Sequence, residues 1–186
     1  MRKISAFTFL TLNGCYKGPN GDISWHRHGG EENEYASEGL QSDSILLFGR
    51  VTYEMMAGFW PSPMALQQNP EMAAGMNNAE KIVFSRTLQQ ADWNNTRLIK
   101  ENMVEELRNM KKTPGKDMTL LGSGNILTQL AEHGLIDTFQ FMIDPVAIGH
   151  GAHIFAGMEK KLDLELTDSR TFKSGVVLLN YRPAER

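Results

Sequence analysis

Cysteine is almost absent from this sequence, which contains a single one, Cys15, among 186 residues. One cysteine excludes an internal disulfide framework and any metal site built from a cysteine cluster. His150 and His153 lie close together near the C-terminus, but they are too isolated to form a metal site by themselves. We therefore expect no bound metal, and a reducing compartment such as the cytoplasm.

The sequence also lacks long apolar runs and a strong charge of either sign. No stretch approaches the length of a membrane span, and the N-terminal residues enter a strand pattern without the apolar region of a signal peptide. The net charge is −3, so neither nucleic acid nor an anionic membrane is expected as a partner. These absences predict a soluble cytoplasmic protein whose partner is a small molecule.

The residues that are present predict one α/β domain, residues 1–186, because 41% are hydrophobic and no linker or repeat divides the chain. Short apolar runs alternate with segments of helical period from residue 44 to residue 133, which favours a mostly parallel sheet with helices on both faces. The last two strand patterns flank a short turn and indicate an antiparallel hairpin. The predicted strands are 3–12, 44–48, 81–84, 96–99, 118–121, 135–143, 162–172 and 176–181, and the predicted helices are 31–41, 52–59, 69–77, 103–111 and 126–133.

Polar, turn-forming residues follow three of the predicted parallel strands, at residues 49–52, 85–87 and 122–125. In an open α/β sheet, ligands bind beyond such carboxyl ends, where helix N-termini supply free N–H groups. The glycines in these turns allow a diphosphate to approach the backbone closely, and Arg50 and Arg86 supply positive charge. Each turn alone also fits an ordinary loop, but together they indicate a long, multiply phosphorylated ligand.

The predicted loop at residues 15–30 is long for a compact domain and rich in glycine, which is typical of a segment that covers a ligand. Trp25, in its middle, either anchors the loop in the core or contacts the substrate. The basic residues of the loop either meet a phosphate of the substrate or are solvated. They are Lys17, His26, Arg27 and His28.

Four ordered motifs resemble the dihydrofolate reductase-like superfamily, whose fold is a three-layer α/β/α sandwich. They are Phe-Gly-Arg-Val-Thr-Tyr-Glu at 48–54, Val-Phe-Ser-Arg at 83–86, Leu-Leu-Gly-Ser-Gly-Asn at 120–125 and Ile-Gly-His-Gly-Ala-His-Ile-Phe at 148–155. Thr-Leu-Asn-Gly at 11–14 and Gly-Pro-Asn-Gly-Asp at 18–22 resemble the branch related to the riboflavin-biosynthesis reductase (RibD C-terminal) domain. The resemblance covers nearly the whole chain and is more specific for fold and cofactor than for substrate.

The resemblance implies that the cofactor is NADPH. Ser85 and Arg86 would hold the phosphate on its adenosine ribose, and residues 122–125 would hold the diphosphate. Phe9 and Leu10 would border the nicotinamide, and the loop from residue 14 to residue 25 would close over the ring. The full set implied for the cofactor is Phe9, Leu10, Gly49, Arg50, Val51, Thr52, Ser85, Arg86, Gly122, Ser123, Gly124 and Asn125.

The proton donor is not assigned by the resemblance. The riboflavin branch usually carries an aspartate where this chain has Asn13. Dihydrofolate reductases orient the pterin with a carboxylate on the first helix, and Glu32 and Glu34 lie on either side of the corresponding position. Both glutamates also fit a charge cluster at a helix N-terminus. Trp25 and Tyr53, placed beside the reacting carbon, complete the candidates for the catalytic site.

The implied activity is hydride transfer from NADPH to a small heterocyclic or carbonyl-type substrate. The first candidate reaction is that of 5-amino-6-(5-phosphoribosylamino)uracil reductase in riboflavin biosynthesis, and the second is dihydrofolate reduction. A third hypothesis is a nucleotide-binding protein without turnover. The zinc deaminase that accompanies the bifunctional riboflavin enzyme is not expected, because it needs a Pro-Cys-x-x-Cys motif and Cys15 stands alone.

A homodimer is also expected. Residues 176–179 are an unbroken apolar run, which suits a strand buried on both sides, either by the chain's own helices or by a second subunit. The resemblance adds that reductases of the riboflavin branch are commonly dimers.

Overall fold

The computed structural model describes residues 1–27, 30–41 and 43–184, apart from the side chains of residues 40 and 41. No helix within these ranges is both long and apolar enough to cross a membrane. The strands are β1 (Ile4–Thr11), β2 (Cys15–Lys17), β3 (Ile45–Gly49), β4 (Lys81–Phe84), β5 (Thr96–Ile99), β6 (Met118–Leu121), β7 (Thr138–Asp144), β8 (Ala152–His153), β9 (Leu164–Thr171) and β10 (Val177–Pro183). The helices are α1 (Glu31–Gln41), α2 (Arg50–Phe59), α3 (Pro63–Gln68), α4 (Pro70–Asn78), α5 (Met103–Lys112) and α6 (Gly124–Glu132), and a short 3-10 turn spans Pro19–Gly21.

Eight strands form one sheet in the order β5-β4-β3-β6-β1-β7-β10-β9. The first six are mutually parallel, and β10 pairs antiparallel with both β7 and β9. This arrangement confirms the predicted mostly parallel sheet with an antiparallel C-terminal hairpin. All parallel strands therefore end at the same edge of the sheet, which is where the predicted ligand-binding turns follow them.

Helices cover both faces of the sheet and bury apolar side chains against it. Leu107 of α5 and Leu127 of α6 belong to the cluster on one face, together with Leu47 of β3. On the other face, Phe48 of β3 packs with Tyr53 of α2 and with residues of α4. Successive residues of β3 point to opposite faces, so a fully apolar strand is needed when both faces are covered. The three-layer α/β/α architecture is confirmed.

Two kinds of element were not predicted from the sequence. The first is α3, where Pro63 occupies the first turn and the Ser62 hydroxyl accepts a hydrogen bond from the backbone N–H of Ala65 at 3.2 Å. Proline is well tolerated in the first turn of a helix, because the N–H that it lacks would have no partner within the helix there. The second is a separate two-stranded ribbon, in which β2 pairs antiparallel with β8. It lies within the predicted loop 15–30 and the glycine-rich segment after β7.

The apolar run at residues 176–179 is partly covered by its own chain. Val176 and Leu178 are buried with Phe172 and Met142, while Tyr181 packs against the cluster on the opposite face. The edge strand β9 is exposed along nearly its whole length and carries Glu165, Asp168 and Arg170. Charged side chains protect an edge strand from pairing with another chain. Val177 and Leu179 are only half-buried, and the homodimer stays a prediction.

Candidate active site

The candidate site lies along the carboxyl edge of five neighbouring parallel strands. In sheet order these are β4, β3, β6, β1 and β7. The three polar turns predicted from the sequence follow β4, β3 and β6, so they are consecutive along this edge. Neighbouring strands are about 4.8 Å apart, so the turns form a continuous row that a dinucleotide can span.

The turns after β3 and β6 are tied directly to each other. The backbone N–H of Gly49 donates to the Ser123 hydroxyl at 2.8 Å. A Cβ at Gly49 would lie only 3.1 Å from the side chain of Ile126, so glycine allows the close approach of β3 and α6. The Ser123 hydroxyl is thus used to hold the site together, rather than to cap α6.

The turn after β6 leads into α6 through two left-handed residues, Gly122 and Ser123, each with φ of +55°. Among the described residues, no side chain caps the N-terminus of α6. Its first-turn N–H groups and the positive end of the helix dipole therefore point towards the row of strand ends. An anion such as a diphosphate would be stabilised there.

Tyr16 of β2 covers Gly124, the first residue of α6. A Cβ at Gly124 would lie 2.4 Å from Cε1 of Tyr16, a distance that real Cβ atoms essentially never show, so any larger residue here would force the ring or the ribbon to shift. The Tyr16 hydroxyl donates to Oδ1 of Asn125 at 3.5 Å, and partial burial raises the pKa of that hydroxyl. Sequence reasoning missed Tyr16, because the contact depends on the β2–β8 ribbon.

The positive charges predicted for the site are available at its outer end. Arg86 is exposed after β4, and the Arg50 guanidinium makes an exposed ion pair of 2.9 Å with Glu54. Such a half-exposed pair is worth little, so Arg50 can turn to a phosphate at small cost. Ser85 shapes its own turn, because its hydroxyl accepts from the backbone N–H of Leu88 at 2.9 Å. Val51 is exposed on α2 beside Arg50.

Only one of the two residues predicted to border the nicotinamide has its side chain at the site. Leu10 is 4% exposed and belongs to the core cluster under α6, which corrects the prediction for its side chain. Phe9 points to the opposite face of β1, towards α1, and stacks on His26 with ring centroids 3.7 Å apart. Adjacent residues of a strand alternate between faces, so the two side chains could not have lined the same surface.

His26 forms a buried pair with Asp144 at the end of β7. The distance between His26 Nδ1 and Asp144 Oδ2 is 2.8 Å, and the two side chains are 5% and 0% exposed. Asp144 Oδ1 also accepts from the backbone N–H of Arg27 at 3.0 Å, and Arg27 Nη1 donates to the carbonyl oxygen of Ser174 at 2.6 Å. These contacts hold residues 26 and 27 against β7 and the β9–β10 turn.

The predicted role of the loop's basic residues therefore needs correction for His26, which is buried rather than presented to a phosphate. Asp144, the last residue of β7, was missed, although it directly follows the strand predicted at 135–143, the same signal that identified the other turns. Trp25 is half-buried and donates its indole N–H to the carbonyl oxygen of Asp22 at 3.2 Å. His28 lies outside the described residues.

The two glutamates of α1 have different environments. Glu32 is 5% exposed and accepts a hydrogen bond from the Ser174 hydroxyl, whereas Glu34 is exposed to solvent. Neighbouring Glu31 pairs with Lys173 at 3.2 Å, and hydrogen bonding by Lys173 lowers the pKa of the Glu31 carboxyl. Of the two candidates, Glu32 is the one that faces the protein interior, and Glu34 is not placed to take part.

Asn13 and Tyr53 are both occupied by structural contacts. The Asn13 amide group bonds to the backbone N–H and carbonyl of Ile148, at 3.2 and 2.9 Å, and so fastens the segment after β7. Tyr53 is 4% exposed, and its hydroxyl accepts from the backbone N–H of Trp93 at 3.0 Å. The placement of Tyr53 beside the reacting carbon is corrected: it belongs to the core.

Two open concavities flank Trp93, with volumes of ≈ 610 and ≈ 650 Å³. The first is lined by residues at the amino ends of β4 and β5, including Lys81 and Thr96. The second lies behind α2, beside Gly58 and Leu88. Neither contains the glycine turn, Phe9 or the His26–Asp144 pair, so the row of strand ends remains the candidate site.

Known proteins resemble this chain over nearly its full length. The sequence model of the RibD C-terminal domain matches residues 2–178. The YyaP protein of Bacillus subtilis (strain 168) is 31% identical over 180 residues, which cover 97% of this chain and 94% of YyaP.

Solved structures with low sequence identity share the fold. A putative riboflavin biosynthesis protein from Shewanella sp. PV-4 has a TM-score of 0.76 at 17% identity, covering 98% of this chain and 99% of its own. The Thermotoga maritima diaminohydroxyphosphoribosylaminopyrimidine deaminase/5-amino-6-(5-phosphoribosylamino)uracil reductase scores 0.70 at 16% identity, covering 98% of this chain and 57% of that one. Dihydrofolate reductase from Enterococcus faecalis, in complex with NADP(H), scores 0.64 at 16% identity, covering 98% and 97%. The fold is therefore that of the dihydrofolate reductases.

Proposed function

Because the chain belongs to the RibD C-terminal domain family, we propose that it is an NADPH-dependent reductase of a small heterocyclic or carbonyl-type substrate. The first candidate is the reduction of 5-amino-6-(5-phosphoribosylamino)uracil, the reaction named for the Thermotoga maritima enzyme. The reaction fits a soluble protein of the cytoplasm.

One observation carries the proposal, namely the order of groups along the carboxyl edge of the sheet. An exposed arginine follows β4, a second follows β3, an uncapped glycine turn follows β6, and an aromatic ring lies at the end of β1. The same order is needed for the adenosine ribose phosphate, the diphosphate and the nicotinamide of one extended dinucleotide. The residues present therefore fit NADPH, with charge at the phosphates and an apolar ring at the nicotinamide.

The roles of the chain's own residues follow from this placement. Arg86 and Ser85 would bind the ribose phosphate, and Arg50 with the first turn of α6 would bind the diphosphate. Phe9 would pack at the nicotinamide end, and the contacts of residues 26 and 27 with Asp144 and Ser174 would keep water away from it. Bound NADPH would supply a hydride to an electrophilic carbon of the substrate.

A second candidate function, dihydrofolate reduction, is favoured by Glu32. A buried carboxylate in the first turn of α1 can hold the amide and amino N–H groups of a pyrimidine or pterin ring. The same group would serve the uracil ring of the first candidate, so Glu32 supports both substrates.

The test is to mix the purified protein with NADPH and each substrate and follow the absorbance of the reduced nicotinamide. Rapid oxidation with the phosphoribosylamino-uracil and slow oxidation with dihydrofolate is the expected result, and the reverse order would favour the second candidate. Binding of NADPH without oxidation across a wider panel of carbonyl and pterin compounds would indicate a nucleotide-binding protein without turnover. Failure to bind NADPH would show that the proposal is wrong.

Glu32→Gln separates the substrate subsite from the cofactor subsite. It should lower kcat/KM with either heterocycle by roughly tenfold to a hundredfold, because one charge-assisted hydrogen bond is lost. The affinity for NADPH should stay unchanged, since Glu32 lies at the opposite end of the row from Arg86. Glu34→Gln, at an exposed position two residues further along α1, is the matched control.

A further inference from the structure

One face of the C-terminal hairpin, formed by β10 and the edge strand β9, carries partly exposed apolar side chains. We propose that this face, called the open face below, is an interface on which a second copy of this chain packs face to face. The inference is independent of the proposed reductase function, because it uses no residue of the cofactor row.

The register of the strands determines which side chains share the open face. Val177 and Leu179 of β10 lie opposite Ile143 and Phe141 of β7, and Phe141 belongs to the apolar cluster under α6. Leu178, between them, is buried in the cluster on the other side of the sheet. Because side chains alternate along a strand, Val177 and Leu179 point to the same side of the sheet as α6.

Three apolar side chains of the open face are incompletely buried. Val177 and Leu179 are half-buried, and Leu166 of β9 is 51% exposed. None of the three belongs to an apolar cluster within the described part of the chain. Phe155 packs on the neighbouring strand β7, with its ring centroid 6.0 Å from that of Phe139, so the chain covers β7 better than the two outer strands. Contiguous apolar patches that stay exposed are typical of interaction sites.

The two faces of β9 differ in charge. Leu166 and Ser169 are in register with Tyr181 and Leu179, so they lie on the open face. The charged residues of β9 are in register with the residues of β10 that point to the other side, and they are Glu165, Asp168 and Arg170. The open face of residues 164–171 and 177–183 therefore carries no charged side chain, although the strand at its edge is rich in charge.

A second copy of the chain is the partner that suits an uncharged face. A two-fold axis brings the same surface of two copies together, so charges of one sign on that surface would repel each other. A nucleic acid or a charged peptide would instead need complementary charges there. On the other side of β9, charged groups such as the Glu165–Arg182 ion pair of 2.9 Å oppose pairing of two edge strands. The copies are therefore expected to pack as the two sheets of a sandwich do, rather than to extend one sheet.

The dimensions of the open face fit the centre of a dimer interface. The 7 residues of β10 extend about 23 Å, and the two strands together are about 10 Å wide, which gives a flat area of roughly 230 Å². A standard interface buries about 800 Å² on each partner, and about 65% of a homodimer interface is apolar. The segment 154–162 packs beside β7 on the same side of the sheet and enlarges the apolar area with the half-buried side chains of Ile154, Phe155, Met158 and Leu162.

Sedimentation velocity of the full chain at micromolar concentrations tests the proposal. The wild-type protein should be a dimer. Leu166→Glu should raise the dimer dissociation constant by about tenfold or more, because the two-fold axis would bury two carboxylates in an apolar contact. Leu166 is half-exposed in a single subunit, so each Leu166→Glu subunit should keep its fold and its circular dichroism spectrum. Met55→Glu is the matched control, since Met55 is 43% exposed on α2 and receives the same charge, and it should leave the dissociation constant unaltered.

Cysteine labelling locates the interface by a second measurement. The native Cys15 is fully buried, so a cysteine introduced on the surface should dominate the reaction with a maleimide. Ser169 and Asp168 are adjacent and both exposed, but they lie on opposite faces of β9. The labelling rate of Ser169→Cys should fall as the protein concentration rises and dimers form, whereas the rate of Asp168→Cys should stay constant.

Several results would overturn the inference. One is a wild-type protein that stays monomeric at micromolar concentrations. Another is a Leu166→Glu protein that dimerises as tightly as the wild type, and a dimer that only Met55→Glu weakens would place the contact on α2. Equal labelling behaviour of Ser169→Cys and Asp168→Cys would also show that the open face is not the interface. Should Leu166→Glu fail to fold, the two cysteine variants decide the question, because both substitutions are at exposed positions.

Discussion

The backbone N–H of Gly49 donates to the side-chain hydroxyl of Ser123 across 2.8 Å, and this bond joins the ends of β3 and β6. The two residues are 74 positions apart in the chain. Gly49 directly precedes Arg50, and Ser123 lies in the glycine turn after β6, so the bond fixes the distance between Arg50 and that turn. The bond therefore links the fold to the spacing of the proposed phosphate contacts.

Loss of this bond should destabilise the protein measurably. In Ser123→Ala the Gly49 N–H loses its partner in a partly buried position, which costs about 1–2 kcal/mol of the free energy of unfolding. Ser123→Gly loses the same bond but tolerates the left-handed φ of +55° better, so its loss should be smaller. Urea denaturation of both variants measures this, with Ser169→Ala on the exposed edge strand as the control. Equal stability of Ser123→Ala and the wild-type protein would contradict the prediction.

The contact between Tyr16 and Gly124 should be visible as an energetic coupling. Gly124→Ala places a methyl group 2.4 Å from the Tyr16 ring and should cost roughly 1–3 kcal/mol, because the ring or the ribbon must shift. In the double variant with Tyr16→Ala, most of this cost should disappear. A double-mutant cycle of unfolding free energies measures the coupling, and additive single costs would show that the ring does not rest on Gly124.

Lys81 gives the stability of the protein a predictable pH dependence. It is 1% exposed, and its ammonium group donates to the carbonyl oxygens of Asn77 and Ala79 and lies over the Trp93 ring. Burial lowers the pKa of Lys81 from 10.5 to about 8. Between these pH values the unfolded chain binds more protons than the folded one, so the free energy of unfolding should rise with pH through this window.

The contribution of Lys81 is isolated by comparison with Lys81→Met. The wild-type protein should gain on the order of 3 kcal/mol relative to Lys81→Met between about pH 8 and 10.5, since other titrating groups cancel in the difference. Chemical denaturation at several pH values gives this difference. If the difference in unfolding free energy between the two proteins stays constant, or shrinks as the pH rises, burial does not lower the pKa of Lys81.

The sheet and the row of polar turns along its carboxyl edge could be predicted from the sequence because their signals are local. Short apolar runs such as Ile-Leu-Leu-Phe at 45–48 predict buried strands. The glycine turn at 122–125 directly follows one of these runs in the sequence. In a parallel sheet, carboxyl ends collect at one edge, so the local signals also predicted which turns share that edge. Strand order was not needed for that conclusion.

The contacts made by residue 26 and by α1 could not be predicted, because they join distant segments of the chain. His26 and Asp144 are 118 residues apart, and Glu32 meets Ser174 across 142 residues. The ribbon that places Tyr16 consists of strands of three and two residues, too short for a hydrophobic period. His26 fitted a solvated loop and Glu32 fitted a charge cluster at a helix N-terminus. Both are buried because distant segments of the chain pack against them.

The proposed cofactor preference depends on Arg86. NADPH differs from NADH by a phosphate on the adenosine ribose, and the planar fork of an arginine can meet two of its oxygens. Arg86 is exposed directly after β4, two strands from the glycine turn that would hold the diphosphate. A charge-assisted pair is worth roughly 1.5–3 kcal/mol, so Arg86→Ala should weaken NADPH binding about tenfold to a hundredfold.

The affinity of Arg86→Ala for NADH should hardly change, because NADH lacks the phosphate that Arg86 would meet. Arg97→Ala on β5 is the matched control, since Arg97 is also exposed but is paired with Glu106 at 2.9 Å, and it should leave both affinities unaltered. Titration of both cofactors against the wild-type protein and each variant, followed by nicotinamide fluorescence, measures these affinities. Because Arg50 also lies on this edge, a loss of NADPH affinity in Arg50→Ala alone would place the ribose phosphate at β3 instead of β4. Equal losses for NADPH and NADH in Arg86→Ala would mean that Arg86 contacts a part that the two cofactors share.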